Sequence, residues 1–196
     1  MRRVVLGSAS KTRRGILERA GVGVEVFVSG VDEDGVEAGS VAELVEVLAV
    51  SKARAVVKEV GDAVVIGCDS LLEFEGRGLG KPKSDEEAVG WWLERRGKSG
   101  VLRTGHCVID GATGREATAV GSTVVRFAEP TEAEIRAYVA SGEPSAVAGA
   151  FTIDGIGAWF VEGMDGDSNN VLGLSVVLLG GLLRELGIDH TELWSR

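Results

Sequence analysis

Val4-Val5-Leu6-Gly7-Ser8-Ala9-Ser10-Lys11-Thr12-Arg13-Arg14 reads as a buried β-strand, a turn of small residues and a helix that opens with cations. Leu6 closes the apolar run, and Gly7 to Ser10 let a ligand come close to the backbone. Ile16, Leu17 and Ala20 then recur on one helical face. The start of such a helix carries unpaired N–H groups and a partial positive charge. Lys11, Arg13 and Arg14 add to that field, so the junction favours an oxyanion, above all a phosphate. A structural reading stays open beside it, with Ser10 as N-cap and solvated arginines on the first turn. Arginine opposes the helix dipole at that end, which makes it an odd choice for stability alone.

Outward from this unit, strands and helices alternate without internal repeats or a linker. Val24 to Val28 is expected to be a strand, followed by the acidic loop Asp32-Glu33-Asp34. Ser40 and Glu43 predict a capping box opening a helix that runs to about Val60. Ala63 to Ile66 is a central-strand run, and Leu71 to Phe74 a second one beyond Gly67-Cys68-Asp69-Ser70. Ser84 with Glu87 caps a helix carrying Trp91 and Trp92. Val101 to Ile109 and Thr118 to Phe127 predict a hairpin across Asp110 to Gly114. Thr131 and Glu134 open another boxed helix, Ala148 to Ile153 and Ala158 to Val161 are expected as short strands, and a last helix covers about Leu174 to Leu186. The class is therefore α/β with a mixed sheet, in one domain spanning residues 1–196. No G-x-G-x-x-G or G-x-x-x-x-G-K-[ST] pattern supports a Rossmann or P-loop reading.

Composition narrows the partners. The chain has 196 residues, 44% of them hydrophobic, enough for a self-sufficient core. A net charge of −9 argues against stable nucleic-acid or membrane-surface binding, because both partners are anionic. Cys68 and Cys107 lack metal or redox spacing and suit a reducing cytosol. The start Met1-Arg2-Arg3-Val4 carries too short an apolar run for a signal peptide or membrane span, so a soluble cytoplasmic protein is expected.

Four residues call for a chemical reading. Asp69, just past an apolar run, is expected at a strand end, where open α/β sheets build sites. There it could orient water, take its proton or hold a cation; an Asx-type turn cap is the structural alternative. Glu33 could join Asp69 around Mg²⁺, which favours a few carboxylates plus water and phosphates. Lys52 shares a helical stripe with Leu44, Leu48 and Ala55. Either its stem snorkels along the core to water or its ammonium points into a polar cleft, which the cost of an isolated buried charge favours. Lys81 sits on a stiff turn between Gly80 and Pro82, either as a loop lysine in water or as a cation for a polyphosphate. A cation about 4 Å from a phosphate oxygen gains on the order of 4 kcal/mol at an effective dielectric near 20. His106 and His190 form no dyad, and the four tryptophans read as core or interface residues.

Taken in order, these segments resemble the Maf family of nucleoside triphosphate pyrophosphatases. The likeness runs through Ser8-Ala9-Ser10 with Arg13, Glu33, Leu48-Ala49 with Lys52-Ala53, Gly67-Cys68-Asp69-Ser70 and Gly80-Lys81-Pro82. It continues through Thr104-Gly105, Tyr138 to Pro144, Ala148 to Phe151 and Asn170 to Leu174. The resemblance implies an elongated mixed sheet with flanking helices, two lobes around a central cleft, and a homodimer. It implies metal-dependent hydrolysis, with Mg²⁺ or Mn²⁺, of a nucleoside triphosphate to the monophosphate and pyrophosphate. Clearance of non-standard or modified nucleotides goes with that activity. A nucleotide-sensing or partner-binding regulator of septum formation, with little turnover, is the alternative, and a phosphomonoesterase a third.

On this resemblance Asp69, Glu33, Lys52 and Lys81 are the catalytic set, with Asp69 and Glu33 holding the metal. Ser8, Ser10 and Arg13 grip the triphosphate. Thr12, Ser70 and Asp154 fall at positions that set base preference, and none carries the usual residue. The family's Ser-Pro-Arg-Arg is Ser10-Lys11-Thr12-Arg13 here, and Asp154 cannot offer the amide donor of a glutamine.

Overall fold

The structure, a computed structural model, describes residues 2–33 and 35–195. Asp34 of the acidic loop lies outside the described residues. The chain forms two compact units, each with its own core. The first takes the residues up to Asp69, Thr104–Gly121 and those from Gly173; the second takes Ser70–Arg103 and Ser122–Leu172.

Among the described residues, seven strands form one open mixed sheet in the order β2-β1-β3-β5-β6-β7, with β4 paired on β3. Strand β1 (Val4–Leu6) lies parallel to both β2 (Glu25–Val26) and β3 (Val64–Phe74). Strand β4 (Arg77–Leu79) turns back antiparallel onto β3, matching Leu79 to Leu72. The hairpin of β5 (Ser99–Asp110) and β6 (Arg115–Phe127) forms where expected. Strand β7 (Val161–Asp165) closes the order, antiparallel to β6.

In the first unit, helix α1 (Lys11–Arg19) follows β1 directly, and Ser10 caps it by accepting from the Arg13 N–H at 3.3 Å. Helix α2 (Val41–Val60) buries Val45, Leu48, Ala49, Lys52, Ala53 and Val56. Its Ala49, Ala53 and Val56 share a core with Val5, Val65, Cys107 and Ile109. Helix α6 (Val176–Glu185), capped by Ser175, is followed in this unit by a 3-10 turn at His190–Leu193.

The second unit contains α3 (Asp85–Arg95), α4 (Glu132–Ala140) and the short α5 (Ser168–Val171). Its core centres on Trp92, whose ring meets Phe127, Tyr138 and Phe160 edge-on at 5.6, 5.8 and 5.6 Å. Such aromatic contacts add about 0.5–1.5 kcal/mol each beyond burial.

Several expectations are corrected. Asp69 is not past a strand end: β3 runs unbroken from Val64 to Phe74, so the two predicted runs are one strand and the Asx-turn reading fails. Gly67 is in the strand because α2 crosses closely there. The segment 148–153 is not a strand, because Gly149 and Ala150 are both left-handed (φ 66° and 54°), and 156–160 is a 3-10 turn. Of the three expected capping boxes, all among the described residues, Thr131 with Glu134 alone is complete. The Glu43 and Glu87 carboxylates reach one residue further back, to the N–H groups of Gly39 and Lys83. Strand β2 is shorter than expected, with Val28 already 60% exposed. Of the tryptophans only Trp92 is fully buried, while Trp159 is 84% exposed.

Candidate active site

The first unit gathers most of the expected residues at one place. On β3, Gly67 and Asp69 share the face turned toward α2, because strand side chains alternate. A Cβ on Gly67 would stand 2.3 Å from the Ala49 carbonyl oxygen, so helix and strand touch backbone to backbone. That approach sets Lys52 over Asp69. Its Nζ donates to Asp69 Oδ1 at 2.5 Å and pairs with Glu33 Oε1 at 2.7 Å. The Lys52 ammonium therefore meets two carboxylates, with the buried stripe centred one residue along from Leu44 and Ala55, which are half-buried.

Asp69 and Lys52 are buried, whereas the Glu33 side chain is 53% exposed. Burial pushes the Asp69 carboxyl above its usual value; Lys52 and Arg13 pull it back, and Glu33 adds to the rise. A buried carboxylate held against an ammonium, yet drawn toward the neutral form, is poised to take a proton. Cys68 beside it is inert by the same physics, since burial pushes its thiol up to about 11.

Arg13 leans from the first turn of α1 toward this pair. Its Nε donates to the Gly173 carbonyl at 2.8 Å, and its Nη1 to the Cys68 carbonyl at 3.0 Å and Ser8 Oγ at 3.2 Å. Three segments thereby fix the plane of the guanidinium. Ser8 Oγ also accepts from the Ser10 N–H at 3.2 Å, which folds the small-residue turn around the helix start. Thr12 is half-buried on the same turn, while Lys11 and Arg14 are exposed, Arg14 pairing with Glu18.

The remaining expected residues belong to the second unit. Lys81 is exposed on the turn after β4. Ser70 follows Asp69 on β3, and strand alternation turns its side chain to the opposite face. Asp154 is exposed and accepts from Thr152 Oγ1. A hollow of about 260 Å³ in this unit is lined by Tyr138, Ile156, Trp159 and Phe160 and by none of the expected site residues.

Among the described residues no three His, Cys, Asp or Glu side chains group closely enough to hold a metal unaided. Asp69 and Glu33 do supply two hard oxygens that converge on a single cation, the Lys52 ammonium. That donor pair fits Mg²⁺ or Mn²⁺ whose other positions are filled by water and phosphate.

Residues 3–186 match the family described as Maf-like protein. The chain belongs to the Maf family. A relative in Streptomyces coelicolor, named nucleoside triphosphate pyrophosphatase, is 56% identical over 196 residues, covering 99% of this chain and 95% of its own. A Mycobacterium sp. (strain JLS) protein of the same name is 47% identical over 207 residues, covering 99% of both. In fold, this Maf chain is similar to the Staphylococcus aureus Ham1 protein, with a TM-score of 0.50 at 16% identity over 98% of this chain and 93% of that one.

Two supports of the candidate site are marked by no motif in the sequence. Two anchors of Arg13 are the backbone carbonyls of Gly173 and Cys68, which any residue type could supply. His106, on β5, also braces the site. Its Nε2 accepts from the Ser175 N–H at 2.8 Å, two residues from Gly173, while Nδ1 faces the Thr104 carbonyl at 3.0 Å. No described helix is long and apolar enough to cross a membrane.

Proposed function

We infer that this chain hydrolyses nucleoside triphosphates to the monophosphate and pyrophosphate, with Asp69 receiving the proton of the attacking water. The observation that carries the reading is the buried Lys52–Asp69 contact with Glu33 at its exposed edge. The names of the Streptomyces and Mycobacterium relatives support the same reaction.

The water oxygen bonds to the α-phosphorus as its proton passes to Asp69, and the bond from α-phosphorus to the bridging oxygen breaks with its electron pair on pyrophosphate. Lys52 offsets charge growing on the phosphoryl oxygens next to Asp69. Arg13, Ser8 and the first N–H groups of α1 hold the triphosphate, with Lys81 as a further cation. Positioning and electrostatics of this kind are most of what phosphoryl displacement asks of a protein. Asp69 and Glu33 would hold Mg²⁺ or Mn²⁺, which when bound supplies Lewis-acid polarisation of phosphoryl oxygens. Clearance of non-standard nucleotides in the cytoplasm fits this chemistry, with Thr12, Ser70 and Asp154 setting base preference.

A panel of standard and modified triphosphates, assayed with Mg²⁺ or Mn²⁺ for pyrophosphate against orthophosphate, tests the reading. Pyrophosphate as the first product supports it. Binding without turnover across the panel would favour the regulatory alternative, and orthophosphate as first product a phosphomonoesterase.

Arg13→Ala is expected to lower kcat/KM by about 10- to 100-fold, because a hydrogen bond to a charged group contributes about 1.5–3 kcal/mol. Arg13→Lys keeps the charge but loses the fork and should recover only part of that loss. Steady-state kinetics check this, and an unchanged profile for Arg13→Ala would remove it from the triphosphate grip.

A further inference from the structure

Arg95, on the last turn of α3, is fully buried at 0% exposure. Buried arginines are ordinarily matched to a carboxylate. This one instead donates Nη1 to the Gly149 carbonyl and Nη2 to the Ala150 carbonyl, the latter at 3.3 Å. The guanidinium carbon lies 3.8 Å from the centroid of Trp92 and 4.7 Å from that of Phe127, and among the described residues Nε has no hydrogen-bond partner. Burial pushes the group down to about 9. A cation kept in such a box must hold something that leucine could not.

What it holds is a backbone corner. Gly149 and Ala150 are consecutive left-handed residues, at φ 66° and 54°, and alanine is strained there. A side chain at Gly149 would in addition meet Leu72 Cβ at 2.6 Å. Arg95 and the Trp92 indole N–H, the latter donating at 2.8 Å to the Ala150 carbonyl, lock the corner from within. So turned, the Gly149 N–H donates to the Gly80 carbonyl at 2.8 Å. Gly80 directly precedes Lys81, and on its other side Leu79 is paired with Leu72 in the β3–β4 ladder.

We propose that Arg95 is a positioning residue for Lys81, acting through the Gly149–Ala150 corner and its hydrogen bond to Gly80. The role rests on the reading of Lys81 as a triphosphate contact given above. It predicts that the buried cation affects substrate capture and not stability alone.

The test uses Arg95→Leu, Arg95→Lys, Lys81→Met and the Arg95→Leu/Lys81→Met double variant in the full chain. Each is assayed for KM and kcat on one triphosphate at a temperature where circular dichroism shows it folded. Amide hydrogen exchange at Gly149 is followed in parallel. Arg95→Leu should raise KM by about tenfold, the loss of one ionic contact, with a smaller change in kcat. Arg95→Lys should recover part of that rise, and the double variant should add nothing to Lys81→Met, because the two act in series. Gly149 exchange should speed up in Arg95→Leu. A folded Arg95→Leu with wild-type KM, or additive losses in the double variant, overturns the proposal. If Arg95→Leu does not fold, a wild-type KM and unchanged Gly149 exchange in Arg95→Lys overturn it instead. A wild-type KM for Lys81→Met defeats the reading of Lys81, and the positioning role with it. The exchange rate at Gly149 tells that failure from a corner that Arg95 does not hold.

Discussion

Asp69→Asn is expected to lower kcat for pyrophosphate release by about 10²–10⁴-fold, the range lost with a general base. Asparagine matches the shape but cannot receive the water proton. Lys52 would stay paired with Glu33 at 2.7 Å, so no buried cation is orphaned. Burial already drives Asp69 toward its neutral form, so an uncharged isostere there should leave the melting temperature within a few degrees of wild type. A continuous pyrophosphate assay beside thermal unfolding separates the two effects. Near-wild-type turnover in a folded Asp69→Asn would show that another group handles the proton.

Gly67→Ala is expected to have the largest effect on stability, about 3 kcal/mol or more, at or above the upper end for overpacking. The added Cβ would stand 2.3 Å from Ala49 O, 2.8 Å from Ala53 N and 2.9 Å from Ala53 Cβ. None of these atoms can rotate away, so α2 must lift from β3. A Cβ built on Gly105 would likewise stand 2.0 Å from Val45 O on the same helix, so the helix is already close to β5 and cannot simply tilt toward it. Lys52 lies between Ala49 and Ala53, and the lift also parts it from Asp69. Urea unfolding and kcat should therefore fall together. Gly90→Ala on α3 is the control, with nothing within 4 Å of the new methyl, and should stabilise by about 0.5–1 kcal/mol. A Gly67→Ala protein as stable as wild type would contradict the close helix–strand contact.

The same glycine shows what the sequence could and could not convey. The βα junction at Leu6–Lys11 was legible because apolar run, small turn and cap follow one another directly along the chain. Lys52 was legible because a lysine on an apolar stripe demands a partner. Asp69 was wrongly placed along the chain, since Gly67 looked like a break between two strands. Its true cause is a helix eighteen residues earlier in sequence (Ala49), pressing on β3, which no local pattern reports. The expected strand at 148–153 failed for a related reason. Its apolar residues fill the second core, but the corner at Gly149 and Ala150 is set by Arg95 from α3. Arg95 gave no signal, because arginine in a last helical turn is what the dipole favours anyway. The carbonyl anchors of Arg13 were invisible for want of any side-chain signature.

The measurement closest to the central claim is hydrolysis in H₂¹⁸O, with both products analysed by mass spectrometry. Attack at the α-phosphorus by water that yields its proton to Asp69 predicts ¹⁸O in the nucleoside monophosphate and none in pyrophosphate. Label in pyrophosphate, or release of labelled orthophosphate first, would contradict it.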